Sequence, residues 1–306
     1  MMNKIYFLFF TKIFLMLLYI KKIICLNEKL ESTFPEEFDL RKEYNECESL
    51  KLIRYQGQCG GCWAFAVAEV ISDRICISSR GKDQIIVSET ELITCCFFCF
   101  NLNSDNKGCG GGTENMAFLY WVVFGLPTES CKPFHFVEES SFDLIKCKDT
   151  CDDGSKPVYY IGSDYRVIYD NEEEIMNEIY RYGSVTAYFE VYKDFYIYWY
   201  QKNCSGIYEF IPVYEFVGLH LIKIIGWGSE IVNGKKVKYW LCVNTWKTNE
   251  NLDGFFKFKR GVNQCNIEST IFAGYIDSKI LVRNQELLII FEDNFFNFRN
   301  LDKDFM

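Results

Sequence analysis

Apolar residues recur at Trp63, Val67, Val70, Ile71 and Ile75, with Ala64, Ala66 and Ala68 between them, and this helical repeat predicts a helix over 63–77. Further along the pattern changes. Val217-Gly218-Leu219-His220-Leu221-Ile222-Lys223-Ile224-Ile225 is almost continuously apolar and β-branched, which predicts a buried strand, and Gly226-Trp227-Gly228 behind it reads as a closing turn. Tyr239-Trp240-Leu241-Cys242-Val243 predicts a second strand running out at Asn244-Thr245-Trp246. At the N-terminus Lys4 precedes an apolar run from Ile5 to Ile24, interrupted by Lys12 and by Lys21-Lys22. A positive start and an apolar centre are the marks of a secretory signal, yet no A-x-A-like cleavage site follows and the run approaches membrane-spanning length. Residues 1–25 are therefore expected to be a signal peptide or an uncleaved anchor. Either delivers the remainder to the secretory lumen, and membrane contact is expected only in the second case. Past Tyr275, Ile280-Leu281-Val282, Leu287-Leu288-Ile289-Ile290-Phe291 and Phe295-Phe296 alternate with charged residues. Residues 277–306 read as an extension of unassigned role, either a short packed helix or a loosely held tail.

Composition adds three constraints. The chain has 306 residues, 49% of them hydrophobic, enough to fill a sizeable core, and its formal charge is −9. That charge argues against a nucleic-acid surface. Fifteen cysteines behind a secretory-type start point to an oxidising compartment and to disulfides, whose connectivity spacing leaves open. Cys95-Cys96-x2-Cys99 with Cys109 could in outline hold zinc, but in a secreted chain disulfides are the expected use, and no metal or cofactor is expected. Asn203-Cys204-Ser205 is a sequon that makes Asn203 a candidate glycosylation position.

Chemistry concentrates in Gln56-Gly57-Gln58-Cys59-Gly60-Gly61-Cys62-Trp63. Cys62 falls at or just before the first turn of the predicted helix, where unpaired N–H groups and the positive end of the dipole favour a thiolate. A thiol nucleophile needs an imidazole as proton acceptor and donor, and the chain holds only two histidines, His135 and His220. A lone histidine on an apolar strand is ordinarily a satisfied core residue. Here it is followed by an asparagine, Asn244, whose side chain can accept the imidazole N–H and fix its tautomer.

The Cys62, His220 and Asn244 contexts resemble the papain-like cysteine peptidases, whose pattern C-G-[SA]-C-[WY] is matched except at Gly61. Within that family the chain is similar to cathepsin B through Phe34-Pro35-Glu36-Glu37-Phe38-Asp39-Leu40-Arg41, Ile71-Ser72-Asp73-Arg74-Ile75-Cys76-Ile77, Leu92-Ile93-Thr94-Cys95-Cys96, and Gly254-Phe255-Phe256-Lys257 through Cys265-Asn266-Ile267-Glu268-Ser269. The resemblance implies an α+β papain-like fold over 34–276. A helical left lobe (about 34–160) and a β-barrel-like antiparallel right lobe (about 161–276) would flank an active-site cleft. It implies a cysteine-type endopeptidase in which Cys62 attacks, His220 moves the proton, Asn244 orients His220, and Gln56 donates to the oxyanion. It implies that Gly110, Gly111 and Gly112 form a wall for extended substrate, that Leu219 and Trp246 border the cleft, and that Thr270 lies in the S2 subsite. The implied disulfides are Cys47–Cys76, Cys59–Cys109, Cys95–Cys147, Cys96–Cys99 and Cys131–Cys151. Protein or peptide substrates and cystatin-like inhibitors are the implied partners, and a lysosome-like vesicle or the extracellular fluid the implied location.

Several positions depart from the family. Residues 26–33 stand where its zymogens carry an inhibitory propeptide, so either a pro-segment is missing from this chain or the enzyme works without one. The segment between Cys131 and Cys147 is too short for the occluding loop of cathepsin B and offers only His135, read as structural or exposed. Endopeptidase rather than exopeptidase action follows, and with Thr270 uncharged an apolar or aromatic P2 side chain is expected. Tyr55, Leu219, Glu250 and Asn251 replace family residues near the site. They keep open a second reading, a catalytically impaired peptide-binding or decoy homologue.

Overall fold

The helix expected over 63–77 is the axis of the fold. In the computed structural model, which describes residues 34–100, 106–135, 138, 146–201, 204–246, 253–277 and 281–284, helix α1 spans Cys62–Ser78. Every residue from Trp63 to Ile77 is buried, so the helix is sheathed on all sides and is not amphipathic. Each fully buried Val or Ile contributes about 1.5–3 kcal/mol of apolar burial. Its charged residues survive there because they are paired: Arg74 Nη1 lies 3.0 Å from Glu178, and Lys223 Nζ lies 3.0 Å from Asp73. Helices α2 (Glu89–Cys95) and α3 (Glu114–Val123) pack against α1. Five disulfides join Cys47–Cys76, Cys59–Cys109, Cys95–Cys147, Cys96–Cys99 and Cys131–Cys151, which leaves the Cys95, Cys96, Cys99 and Cys109 sulfurs unavailable for zinc.

The second half is built on a sheet. Its strands are β1 (Phe38–Asp39), β3 (Asp164–Ile168), β4 (Val185–Tyr192), β5 (Ile207–Tyr208), β6 (Phe216–Val232), β7 (Lys235–Val243), β8 (Phe255–Lys259) and β9 (Ile271–Tyr275). They run in the order β3-β9-β4-β6-β7-β8-β5, with β1 on β6, and only β5–β8 is parallel. Helix α4 (Glu172–Tyr182) starts at Asn171, whose side chain accepts from the Glu174 N–H.

Two sequence expectations fail here. Gly226-Trp227-Gly228 is not a turn: β6 continues to Val232, and the turn is Asn233-Gly234, both at positive φ (51° and 75°). An Asn-Gly pair between two alternating runs is the signal of a tight hairpin, and it was there to be read. Gly226 serves a different end. A Cβ on it would stand 2.1 Å from the Phe38 carbonyl oxygen, so the glycine is what lets β1 cross β6. The C-terminal extension is neither helix nor tail at its start. Leu281–Asn284 forms β10, antiparallel to β2 (Val158–Ile161), with Leu281 opposite Ile161 and Asn284 opposite Val158. Residues 1–33, the candidate glycosylation position Asn203, Glu250, Asn251 and residues 285–306 lie outside the described residues.

Candidate active site

Cys62 is the first residue of α1, behind Gly61, and two structural ties hold the loop before it. The Cys59–Cys109 disulfide joins it to the glycine run, and the Gly60 N–H donates to the Cys109 carbonyl at 2.9 Å. Gly61 itself has a steric reason, since a Cβ would stand 3.0 Å from Ile93 Cδ1 and 3.1 Å from Cys59 Sγ. Across the loop, Gly112 lies flat on the Trp63 indole, where a Cβ would come within 2.4 Å of the ring.

His220 enters from β6, paired with Phe189 of β4, and is 3% exposed. Its Nε2 lies 2.8 Å from Asn244 Oδ1, and the Thr245 N–H also donates to that oxygen at 2.8 Å. The second bond fixes the asparagine: an atom accepting from a backbone N–H is the amide oxygen. Nε2 must then carry the proton, which leaves Nδ1 as the basic nitrogen. Trp246 lies against the imidazole, with ring centroids 4.5 Å apart and planes tilted by 31°. Asn244 Nδ2 is buried without a partner among the described residues, a cost of about 1–3 kcal/mol accepted in this orientation.

The same logic orients Gln56. Its Nε2 donates to the Cys59 carbonyl at 2.8 Å, and its Oε1 accepts from the Thr245 hydroxyl at 2.6 Å. A carbonyl can only accept, so the amide nitrogen faces Cys59, beside the cleft that Gln56 lines together with Cys62. A backbone bond from the Gln56 N–H to the Thr245 carbonyl, 3.0 Å, completes the tie.

Electrostatics at the site has two opposing parts. Burial pushes the Cys62 thiol up, and the Leu221 and Trp63 N–H groups beside it only partly oppose that rise. Burial likewise holds His220 down at about 4, against the pull of its bond to Asn244. Desolvation thus works against the charged form of each group, in opposition to the helix terminus.

A cleft of about 810 Å³ runs along these groups. Gly110, Gly111, Gly112, Leu219 and Trp246 line it as expected residues; Leu219 is 64% exposed. Thr270 does not line it. Glu114 and Glu190 do, on opposite walls, and neither was singled out from the sequence. The cue for Glu114 was its place two residues after the glycine run, at the first position of α3. His135 is elsewhere, exposed and bonded to Asp152 Oδ2 at 2.7 Å. That bond is the main reason the Asp152 carboxyl lies below its usual range. Among the described residues no group of three His, Cys, Asp or Glu is arranged to hold a metal ion, and no helix is long and apolar enough to cross a membrane.

Comparison with known proteins gives these features their setting. The family profile described as papain family cysteine protease matches residues 34–275. The cathepsin B-like cysteine proteinase 3 of Caenorhabditis elegans is 39% identical over 267 residues, covering 81% of this chain and 68% of that protein. A gut-specific cysteine proteinase of the same organism is 38% identical over 81% of this chain and 75% of its own length. Among solved structures, procathepsin B S9 from Trypanosoma congolense superposes with a TM-score of 0.69 at 32% identity, over 82% of this chain and 80% of that one. Digestive procathepsin L2 from Tenebrio molitor, at 24% identity and a TM-score of 0.59 over 80% of this chain and 70% of that one, shares the fold. A match over nearly the whole described chain, with cathepsin B-like relatives above one third identity, means that this chain belongs to the papain family of cysteine proteases and is a cysteine peptidase of α+β, two-lobed build.

Proposed function

We propose that the protein is an endopeptidase acting through Cys62, His220, Asn244 and Gln56. As Cys62 Sγ attacks the scissile carbonyl carbon, its proton passes to His220 Nδ1, and the carbonyl oxygen takes up the negative charge. The Gln56 side-chain amide and the Cys62 N–H donate to that oxygen, each such donor being worth roughly 10²–10³ in rate. The C–N bond then breaks, His220 returns the proton to the leaving amine, and a thioester remains on Cys62. Water attacks the thioester with His220 accepting its proton, which releases the acid and restores the thiol. No step calls on a cofactor.

The observation that carries this reading is the doubly held Asn244 oxygen, since it presents Nδ1 of His220 as a base without adding a buried charge. We further place the lobe change near residue 160, where β2 turns to β10 and β3 joins the large sheet. The disulfides favour a secretory lumen, lysosome-like vesicle or extracellular setting. Labelling by an epoxysuccinyl thiol inhibitor tests the proposal: the wild-type protein should be labelled and Cys62→Ala should not. Labelling without turnover of any peptide would instead select the decoy reading.

A further inference from the structure

The cleft carries two carboxylates, and they differ in a way that matters. Glu190 is satisfied within the protein: the Tyr192 hydroxyl and the Asn266 amide each donate to one of its oxygens at 2.7 Å. Glu114 is half-buried and raised by burial, and its only offset is its own backbone N–H at the start of α3. Among the described residues no cation and no side-chain donor pairs with it, and no Lys or Arg lines the cleft. An ionised carboxyl left partly desolvated and unpaired is costly, and the cheapest remedy is a cation brought by the ligand.

The chemistry of the site says which part of a substrate passes there. His220 must protonate the leaving amine, so the amine side of the scissile bond lies over His220 and Trp246. The acyl side is then directed along the opposite wall, Gly110 to Gly112, which leads straight into Thr113 and Glu114. The far wall carries Tyr188 and Leu221, paired across β4 and β6, beside Leu219 and the internally bonded Glu190, and a long aliphatic stem can lie along the apolar side chains with its charged head on Glu114. We propose that Glu114 is a specificity-determining residue that selects a Lys or Arg side chain on the acyl side of the scissile bond. The inference rests on the peptidase reading above and departs from the apolar preference expected with Thr270 uncharged.

Glu114 also acts on the nucleophile: after burial and the two N–H groups, its charge is the next influence on the Cys62 thiol, and it raises it. A substrate cation paired with Glu114 screens that charge, so a basic substrate would ease loss of the thiol proton as well as bind. This gives the proposal a readout that peptide affinity alone does not supply.

A peptide library varied at each acyl-side position, cleaved by wild-type protein and by Glu114→Gln and Glu114→Lys, provides the test. Wild type should favour Arg and Lys over Leu at one position. Glu114→Gln should lower the ratio of kcat/KM for Arg over Leu about tenfold, the scale of one charge-assisted hydrogen bond, and Glu114→Lys should favour Asp or Glu instead. Alkylation of Cys62 by iodoacetamide should shift to lower pH in Glu114→Gln. Unchanged Arg-over-Leu ratios in both variants, or a wild type indifferent to charge, would overturn the proposal while leaving the peptidase reading intact. Absence of all peptide cleavage and of Cys62 labelling would overturn the peptidase reading first.

Discussion

Replacing Glu69 by Gln should tilt the pH dependence of stability by a calculable amount. Burial holds the Glu69 carboxyl at about 7, above an ordinary 4.5, despite the pull of Lys223 and Arg54. Below 4.5 the proton is bound in folded and unfolded chains alike and Glu69 costs nothing. As pH rises from 4.5 to about 7 the unfolded chain ionises while the folded one resists, so stability falls through that window. At about 1.4 kcal/mol per pKa unit the full loss is about 3 kcal/mol. His220 works in the opposite sense. Its folded value of about 4 lies below the ordinary 6.5, so it costs nothing above 6.5 and about 3 kcal/mol once pH has dropped to 4. Urea unfolding at closely spaced pH values, on a Cys62→Ala background that prevents self-digestion, separates the two. Other carboxyls titrate in both proteins and drop out of the difference. Glu69→Gln minus parent should grow more favourable by about 3 kcal/mol between pH 4.5 and 7. His220→Gln minus parent should lose a similar advantage between pH 4 and 6.5. Lys223 is not orphaned by the first change, because Asp73 remains 3.0 Å from its Nζ. A Glu69→Gln difference that stays flat across pH would refute the reasoning.

Cys62→Ser and His220→Ala should each lower kcat by several orders of magnitude on a fluorogenic peptide, whereas His135→Ala, exposed beside Asp152, should retain most activity. The acid limb of kcat/KM should fall near pH 4, because His220 must be neutral to accept the thiol proton; a limb near 6.5 would contradict its burial. Removing the Cys59–Cys109 bridge by paired Ser substitutions should cost about 2–5 kcal/mol in denaturant unfolding and should lower activity further, since the bridge sets the loop before Cys62.

Much of this site could be read from residue order, but for unequal reasons. The α1 helix was legible because Val67, Val70, Ile71 and Ile75 follow a 3.6-residue period, and β6 because an almost continuous apolar run, rich in Val and Ile, surrounds His220. The Gly226-Trp227-Gly228 error came from treating glycine as punctuation, when here it answers a contact with Phe38, 188 positions earlier in the chain. Local pattern carries no trace of such a partner. The surroundings of Cys62 are only half legible in the same way: the helix terminus is visible in sequence, whereas the desolvation that opposes it depends on what folds over Cys62. Disulfide pairs came from resemblance and not from spacing. Thr270 was placed in the cleft by resemblance alone, while Glu114 and Glu190 come to line one cleft only once α3 and β4 are brought together.

Thr245 reaches both sides of the cleft: its N–H holds the Asn244 oxygen that bonds His220, and its hydroxyl holds the Gln56 side-chain amide. The two ties are nonetheless separable. The N–H belongs to the main chain, so any residue but proline at 245 keeps the hold on Asn244, and only the hydroxyl on Gln56 is lost. Drift at position 245 would accordingly wear down one half of the arrangement while the other stays in place.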